Sequence, residues 1–226
     1  MLRPVDSQAL LRLLQLASPA LPVGAYAYSE GLEFLIQTEQ ITTADALKNW
    51  ITAELRIGAI RVDAAIVIRA YQAQVRGDST SIESWNHWLT AARDGEALRQ
   101  QSLQMGRSLW QLFCDLEPET QNFNPQEFHH FAVAFGRVAG AWQIELGPAI
   151  LGFLQSWTSN LINAGVKLIP LGQTQGQRLL LALHQPITQA CAEILRLKDE
   201  QLDNCSWGLS LAVMGHETLY SRLFRS

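Results

Sequence analysis

Apolar residues along the chain recur mostly three and four positions apart, as in Leu47, Trp50, Ile51 and Leu55, and again in Leu98, Met105, Leu109, Leu112, Phe113 and Leu116. That spacing is the signature of amphipathic helices. It predicts helices over 7–17, 29–38, 43–57, 60–75, 82–91, 95–116, 125–143, 148–166, 176–184, 187–199 and 206–221. Start signals accompany several of them. Asn124, Pro125 and Glu127 supply an N-cap, a first-turn proline and a carboxylate at the third position, and Asp6 and Thr43 are weaker caps. Strict alternation is confined to "AYAYS" at 25–29, too short and isolated to imply a sheet. "AAIVIRAY" at 64–71 is β-branched but sits between helical flanks and is read as helix. The expected fold is all-α, a single-domain bundle of about ten helices spanning 1–226.

Gly136 and Gly140 lie four apart in "FAVAFGRVAGAWQ", on one helical face, where the missing side chains let a second helix approach; Gly106 has the same potential. The most polar connections are "RGDST" at 77–81 and "EPETQNF" at 117–123, and neither resembles a domain linker. Leu146 to Val166 carries no charge and is long enough to cross a bilayer. Its Pro148, Gln155, Ser156, Thr158, Ser159, Asn160 and Asn163 argue instead for burial against protein, in a core or a subunit interface.

Composition narrows the function classes. Only 17% of the 226 residues are charged while 48% are hydrophobic, which leaves much apolar surface to cover and favours a partner surface. A net charge of -4 gives no pull toward nucleic acid or acidic membranes. Three widely spaced cysteines, Cys114, Cys191 and Cys205, make neither a disulfide framework nor a Cys-x-x-Cys metal site, and point to a reducing, cytoplasmic setting. Asp6 and Arg12 interrupt the apolar N-terminal stretch, so it is read as mature protein and not as a signal peptide.

Catalytic constellations are scarce. "HET" at 216–218 begins like a His-Glu-x-x-His zinc motif, but Tyr220 stands where the second histidine belongs. Glu127 and His130 form one Glu-x-x-His pair without the second copy that a di-iron bundle needs. The loop "LGQTQGQ" at 171–177 lacks the Lys-Ser/Thr pair of a phosphate-binding loop. A helical metal-binding protein or metalloenzyme using Glu127, His130 and His216 is the alternative reading.

Three blocks carry a specific resemblance: "LLQLASPALPVGAYAYSEGLE" (13–33), "NAGVKLIPLGQTQGQRLL" (163–180) and "MGHETLYSRLFRS" (214–226), with "ALRQQSLQMGRSL" (97–109) as a looser fourth. In order and position they resemble the UreF family of urease accessory proteins over essentially the whole chain. The resemblance implies an all-α, dimer-forming, non-catalytic chaperone. It binds UreD (also called UreH), and the pair recruits and regulates the GTPase UreG for nickel insertion into apo-urease. Nickel and GTP are then handled by partners, and no cofactor is bound intrinsically.

The resemblance also suggests partner-binding residues. Tyr26 and Tyr28, if extended, project to one side, as interface or as core aromatics. Glu30 and Glu33 can share a helix face and offer carboxylates to a partner's cation, or simply meet solvent. Lys167 follows the uncharged stretch, and Gln173 and Gln177 sit in a glycine-bearing turn dense in donors and acceptors; Gly172 reads there as a helix terminator. The tail 214–226, with His216, Glu217, Tyr220, Arg222, Leu223, Phe224 and Arg225, is expected to end a helix, to be partly disordered alone and to dock on a partner. The competing reading packs it as a helix on its own core.

Overall fold

A computed structural model describes residues 6–93, 95–118, 124, 126–203 and 206–225. Among these it contains ten α-helices and no strand: α1 (Ser7–Leu16), α2 (Leu32–Gln37), α3 (Ala44–Ile57), α4 (Ala59–Arg76), α5 (Ser79–Ala92), α6 (Glu96–Leu116), α7 (Phe131–Ala141), α8 (Leu146–Leu168), α9 (Gln173–Ile194) and α10 (Trp207–His216). The all-α expectation holds. The caps act as read: Asp6 accepts from the backbone N–H of Gln8 and Ala9, and Thr43 from that of Ala46.

Helix α4 is the axis of the bundle. It packs against α3, α5, α7, α8 and α9 and is buried from Ala64 to Ala70 on every side, which explains why its sequence is β-branched and nearly all apolar. Its closest neighbour is α7. A Cβ on Gly136 would lie 2.4 Å from the carbonyl oxygen of Val67, and one on Gly140 would lie 3.2 Å from that of Tyr71. Both glycines therefore permit the close approach expected of them. Gly106 of α6 does so against a different element, since its Cβ would lie 1.9 Å from the carbonyl oxygen of His129 in the segment before α7. The uncharged stretch becomes α8, which packs on α1, α2, α4, α7 and α9. Among the described residues no helix is long and apolar enough to cross a membrane.

Four boundaries differ from expectation. Helix α7 begins at Phe131, not at 125, and Pro125 lies outside the described residues. Asn124 spends its side chain on a turn, accepting from Gln126 N at 3.0 Å, while Trp110 Nε1 donates to its carbonyl at 2.9 Å. Asn86 of α5 then accepts from His130 N and donates to Phe128 O, satisfying backbone groups that a helix would otherwise use. The separate helices expected at 176–184 and 187–199 are one, α9, with Pro186 inside. Leu179, Leu183, Ile187, Ala190, Cys191 and Ile194 form one buried stripe along it, and that continuous packing outweighs the proline's missing donor.

Helix α2 is shorter than 29–38 because Glu30 (φ 50°) and Gly31 (φ 76°) both take left-handed conformations that no helix accommodates. Helix α10 stops at His216, so the tail is not the end of a helix.

Candidate docking surface at the C-terminal tail

Helix α10 carries no charged residue before its last position and is apolar on two faces. Leu209, Ala212 and Val213 are buried, whereas Trp207, Leu211 and Met214 are 75%, 65% and 53% exposed. The inner face rests on α2. A Cβ on Gly31 would lie 2.9 Å from that of Ala212, so this glycine serves two needs at once, the positive φ and the contact. After His216 the chain turns, with Thr218 N donating to Gly215 O and Leu219 N to His216 O, and runs back over α2.

Glu33 holds this return. It is 2% exposed, and its Oε2 accepts from His216 Nε2 at 2.8 Å and from Phe224 N at 3.0 Å. Its Oε1 accepts from Leu223 N at 2.7 Å and from Gln37 Nε2 at 3.5 Å. Phe224 is buried, with the Lys167 ammonium 5.6 Å from its ring centroid, and Arg225 N donates to Ala27 O at 2.8 Å. Outside remain Glu217, Tyr220, Arg222, Leu223 and Arg225, all exposed.

The residues singled out in the sequence therefore divide. Tyr26 is 69% exposed, but Tyr28 is buried at 7%, because Ala25–Ala27 is a 3-10 turn and not the extended strand that would have aimed both rings one way. Glu30 and Glu33 do not share an outward face: Glu33 is committed to the tail, and Glu30 accepts from Trp157 Nε1 at 2.8 Å and Gln101 Nε2 at 3.1 Å. His216, 1% exposed, is turned inward against Glu33 and is no contact surface. Gln173 and Gln177 are exposed on the first turns of α9, and Gly172 begins that helix instead of ending one. Lys167 is exposed over Phe224. The Glu33–His216 pairing spans 183 residues and was missed. The only sequence signal for it is a lone carboxylate between Leu32 and Leu35, on what would be a buried face.

The metal-binding alternative does not assemble. Glu127 pairs with Arg137 and with His129 Nε2, His130 Nε2 contacts Thr90 Oγ1 at 2.9 Å, and His216 is taken by Glu33. Among the described residues no group of three or more His, Cys, Asp or Glu could hold an ion. Burial, with the neighbouring arginines adding to it, lowers His129 to about 4 and His130 to about 3, so both are neutral structural groups.

Beside α2 lies a cavity of about 70 Å³ between the 18–25 passage, α4, α6 and α8, with Glu30, Asp63 and Arg93 in its wall. Arg93 donates to both Asp63 oxygens at 3.0 and 3.1 Å. Burial raises Glu30 and Asp63 above the usual carboxylate range. Burial first, and then the Glu30 charge, push Glu54 up to about 7 against the Ala59 N–H that favours its ionised form.

A folded-state pKa above the unfolded 4.5 means that Glu54 costs stability as pH rises from there through 7, by up to about 3 kcal/mol. The two histidines act in the opposite sense, costing stability as pH falls below 6.5. Thermal unfolding of Glu54→Gln at pH 8 is accordingly expected to occur above the unsubstituted protein, with the difference vanishing by about pH 4. A difference independent of pH would contradict the assignment.

Comparison with known proteins comes to the same place as the blocks quoted above. A model of the UreF family matches residues 41–184. The urease accessory protein UreF of Nostoc sp. is 54% identical over 221 residues, covering 96% of this chain and 95% of that protein. That of Synechocystis sp. is 52% identical over 235 residues, covering 98% of this chain and 100% of the relative. That of Alkalilimnicola ehrlichii is 37% identical over 216 residues, covering 95% of each.

Proposed function

Because this chain belongs to the UreF family of urease accessory proteins, we propose that it is a non-catalytic assembly factor docking UreD/UreH through the outer face of α10 and the tail. The pair then brings the GTPase UreG to apo-urease and regulates its timing, with nickel and GTP carried by those partners. It works in the cytoplasm as a homodimer.

The observation that carries this reading is the second apolar face of α10. A short helix with a bulky apolar side chain at 207, 211 and 214 pointing outward, continued by exposed Tyr220 and Leu223, is costly to leave in water and suits a hydrophobic partner groove. Aromatic and arginine anchors beside it, Trp207, Tyr220, Arg222 and Arg225, are the residue types that dominate binding energy.

The test is Leu211→Asp with Leu223→Asp. Both residues are 65% exposed, so helix content is expected to be unchanged and folding stability to stay within about 1 kcal/mol of the unsubstituted protein. Co-purification with UreD/UreH is expected to be lost. Retention of the complex by this double variant would remove α10 and the tail as the docking surface.

A further inference from the structure

We infer that Arg69 is a positioning residue for partner docking: it ties the connection between α9 and α10 to α4, and so fixes the point on the bundle from which the docking segment departs. The docking part rests on the proposed function above. The clamp itself rests on residues up to 203 and needs no contact from the chain beyond them.

Helix α9 ends beside the first turn of α8, where Cys191 Sγ approaches Gly147 O at 3.9 Å. From there residues 195–203 run along α4 against its direction: Leu197 and Asp199 meet Arg69, and Asp203 meets Arg61. Arg61, Ala65 and Arg69 are spaced by four and share one side of the helix. The Arg69 guanidinium is aimed by groups outside the connection. Its Nη1 donates to Ala65 O at 2.9 Å, one turn back on the same helix, and it lies 5.3 Å from the ring centroid of Trp85 in α5. Held so, Nε donates to Asp199 Oδ1 at 2.8 Å and Nη2 to Leu197 O at 3.1 Å, a planar fork that takes one carboxylate and one backbone carbonyl. Arg61 Nη1 repeats the pattern more loosely, donating to Asp203 O at 3.0 Å and to its Oδ1 at 3.3 Å.

The ion pair by itself would be weak, because the Asp199 side chain is 68% exposed and solvent screens it. The bond to the Leu197 carbonyl adds a backbone contact that fixes where the connection lies, and Leu197 and Leu202 pack on the core on either side of Asp199. Anchored as far as Asp203, the docking segment starts beside the first turns of α4 and is confined there at high effective concentration. Anchored only at Ile194, it would carry residues 195–203 as additional free chain, whose ordering opposes binding. The point of departure is the same whether the segment beyond it is seated on the bundle or free, so the clamp acts on docking in either case.

Amide hydrogen exchange on the full-length protein alone tests the clamp. The Leu197, Lys198, Gln201 and Leu202 amides are each hydrogen-bonded at the connection, to Ile194 O, Gln201 Oε1, Lys198 O and Asp199 O. They are expected to be protected, and to exchange at least about tenfold faster in Arg69→Gln, while the amides of α7 and α8 keep their rates. Arg69→Lys keeps a cation before Asp199 and is expected to restore part of the protection. Asp199→Asn, altered at an exposed side chain, is expected to loosen the same four amides with the thermal midpoint unchanged. Should Arg69→Gln fail to fold, the asparagine variant decides. Unprotected amides in the wild type, or rates indifferent to residues 69 and 199, would mean that the two leucines alone hold the connection, and overturn the inference.

Affinity for UreD/UreH is expected to fall about tenfold in Arg69→Gln and in Asp199→Asn, and no further when the two are combined, because each breaks the same clamp. Losses that add, or an affinity unchanged in both single variants, overturn the positioning role. If Leu211→Asp with Leu223→Asp leaves partner binding intact, the docking reading fails, and hydrogen exchange still decides the clamp. If that double variant loses the partner while Arg69→Gln and Asp199→Asn keep it, the positioning role fails and the docking reading stands.

Discussion

Gly136→Ala is expected to destabilise the protein by about 2 kcal/mol or more, although alanine is the better helix former by roughly 1 kcal/mol. The added methyl would stand 2.4 Å from Val67 O, 2.9 Å from the Ala70 Cβ and 3.0 Å from Tyr71 N. Two of these are backbone atoms of α4, which is buried on every side from Ala64 to Ala70, and they cannot swing aside as a side chain would. Relief requires α4 and α7 to separate, which loosens the most extensive helix contact in the molecule. Gly147→Ala in the first turn of α8 is the control, because nothing lies within 4 Å of its Cβ position. That change is expected to be neutral or to stabilise by up to about 1 kcal/mol. Chemical denaturation of the two variants checks the opposite signs, and a gain at Gly136 would mean that α4 and α7 are not packed this closely.

Arg137→Ala is expected to cost about 3–5 kcal/mol, lowering the thermal midpoint by roughly 10 °C or more. Arg137 is 6% exposed. It donates to Glu127 and to Gln74 Oε1, contacts His129, and lies 3.8 Å from the ring centroid of Trp110. Its loss leaves the Glu127 carboxylate without its cation, opens space against the indole, and frees the extended segment before α7 from α4. Burial and the Arg137 charge together hold His129 at about 4, so its titration is expected to move upward in the variant. NMR titration of that imidazole separates this electrostatic role from simple packing: a large loss of stability with an unmoved His129 would leave only the packing explanation.

The Arg137 network also shows why one stretch of the sequence misled. Asn124 and Glu127 satisfy every local rule for starting a helix, yet both are used elsewhere, Asn124 in a turn and Glu127 across to Arg137 ten residues on. Helix α7 starts only at Phe131, once Asn86 of α5 has taken the Phe128 carbonyl and the His130 N–H. Pro186 misled in the other direction. A local breaker was overruled by a buried stripe running from Leu179 to Ile194. In both places a nearby signal competed with partners tens of residues away, and the burial of those partners decided.

The exposed apolar face of α10 was legible in outline and the path of the tail was not. Trp207, Leu211 and Met214 belong to a helix expected over 206–221 from its apolar spacing. The inward turn of Glu33, His216 and Tyr28 was not legible, since each looks like an exposed polar or interfacial residue when only its neighbours are considered.

From its sequence alone this protein is an all-helical member of the UreF family, with its helical periodicity and the close-packing face of Gly136 and Gly140 readable, because helix periodicity and glycine spacing are properties of residues a turn or two apart. Only the tertiary structure decided which carboxylates face inward and where the tail lies. A buried charge is tolerable solely when distant donors converge on it, as those of residues 216, 223 and 224 do on Glu33, and no local pattern encodes that convergence.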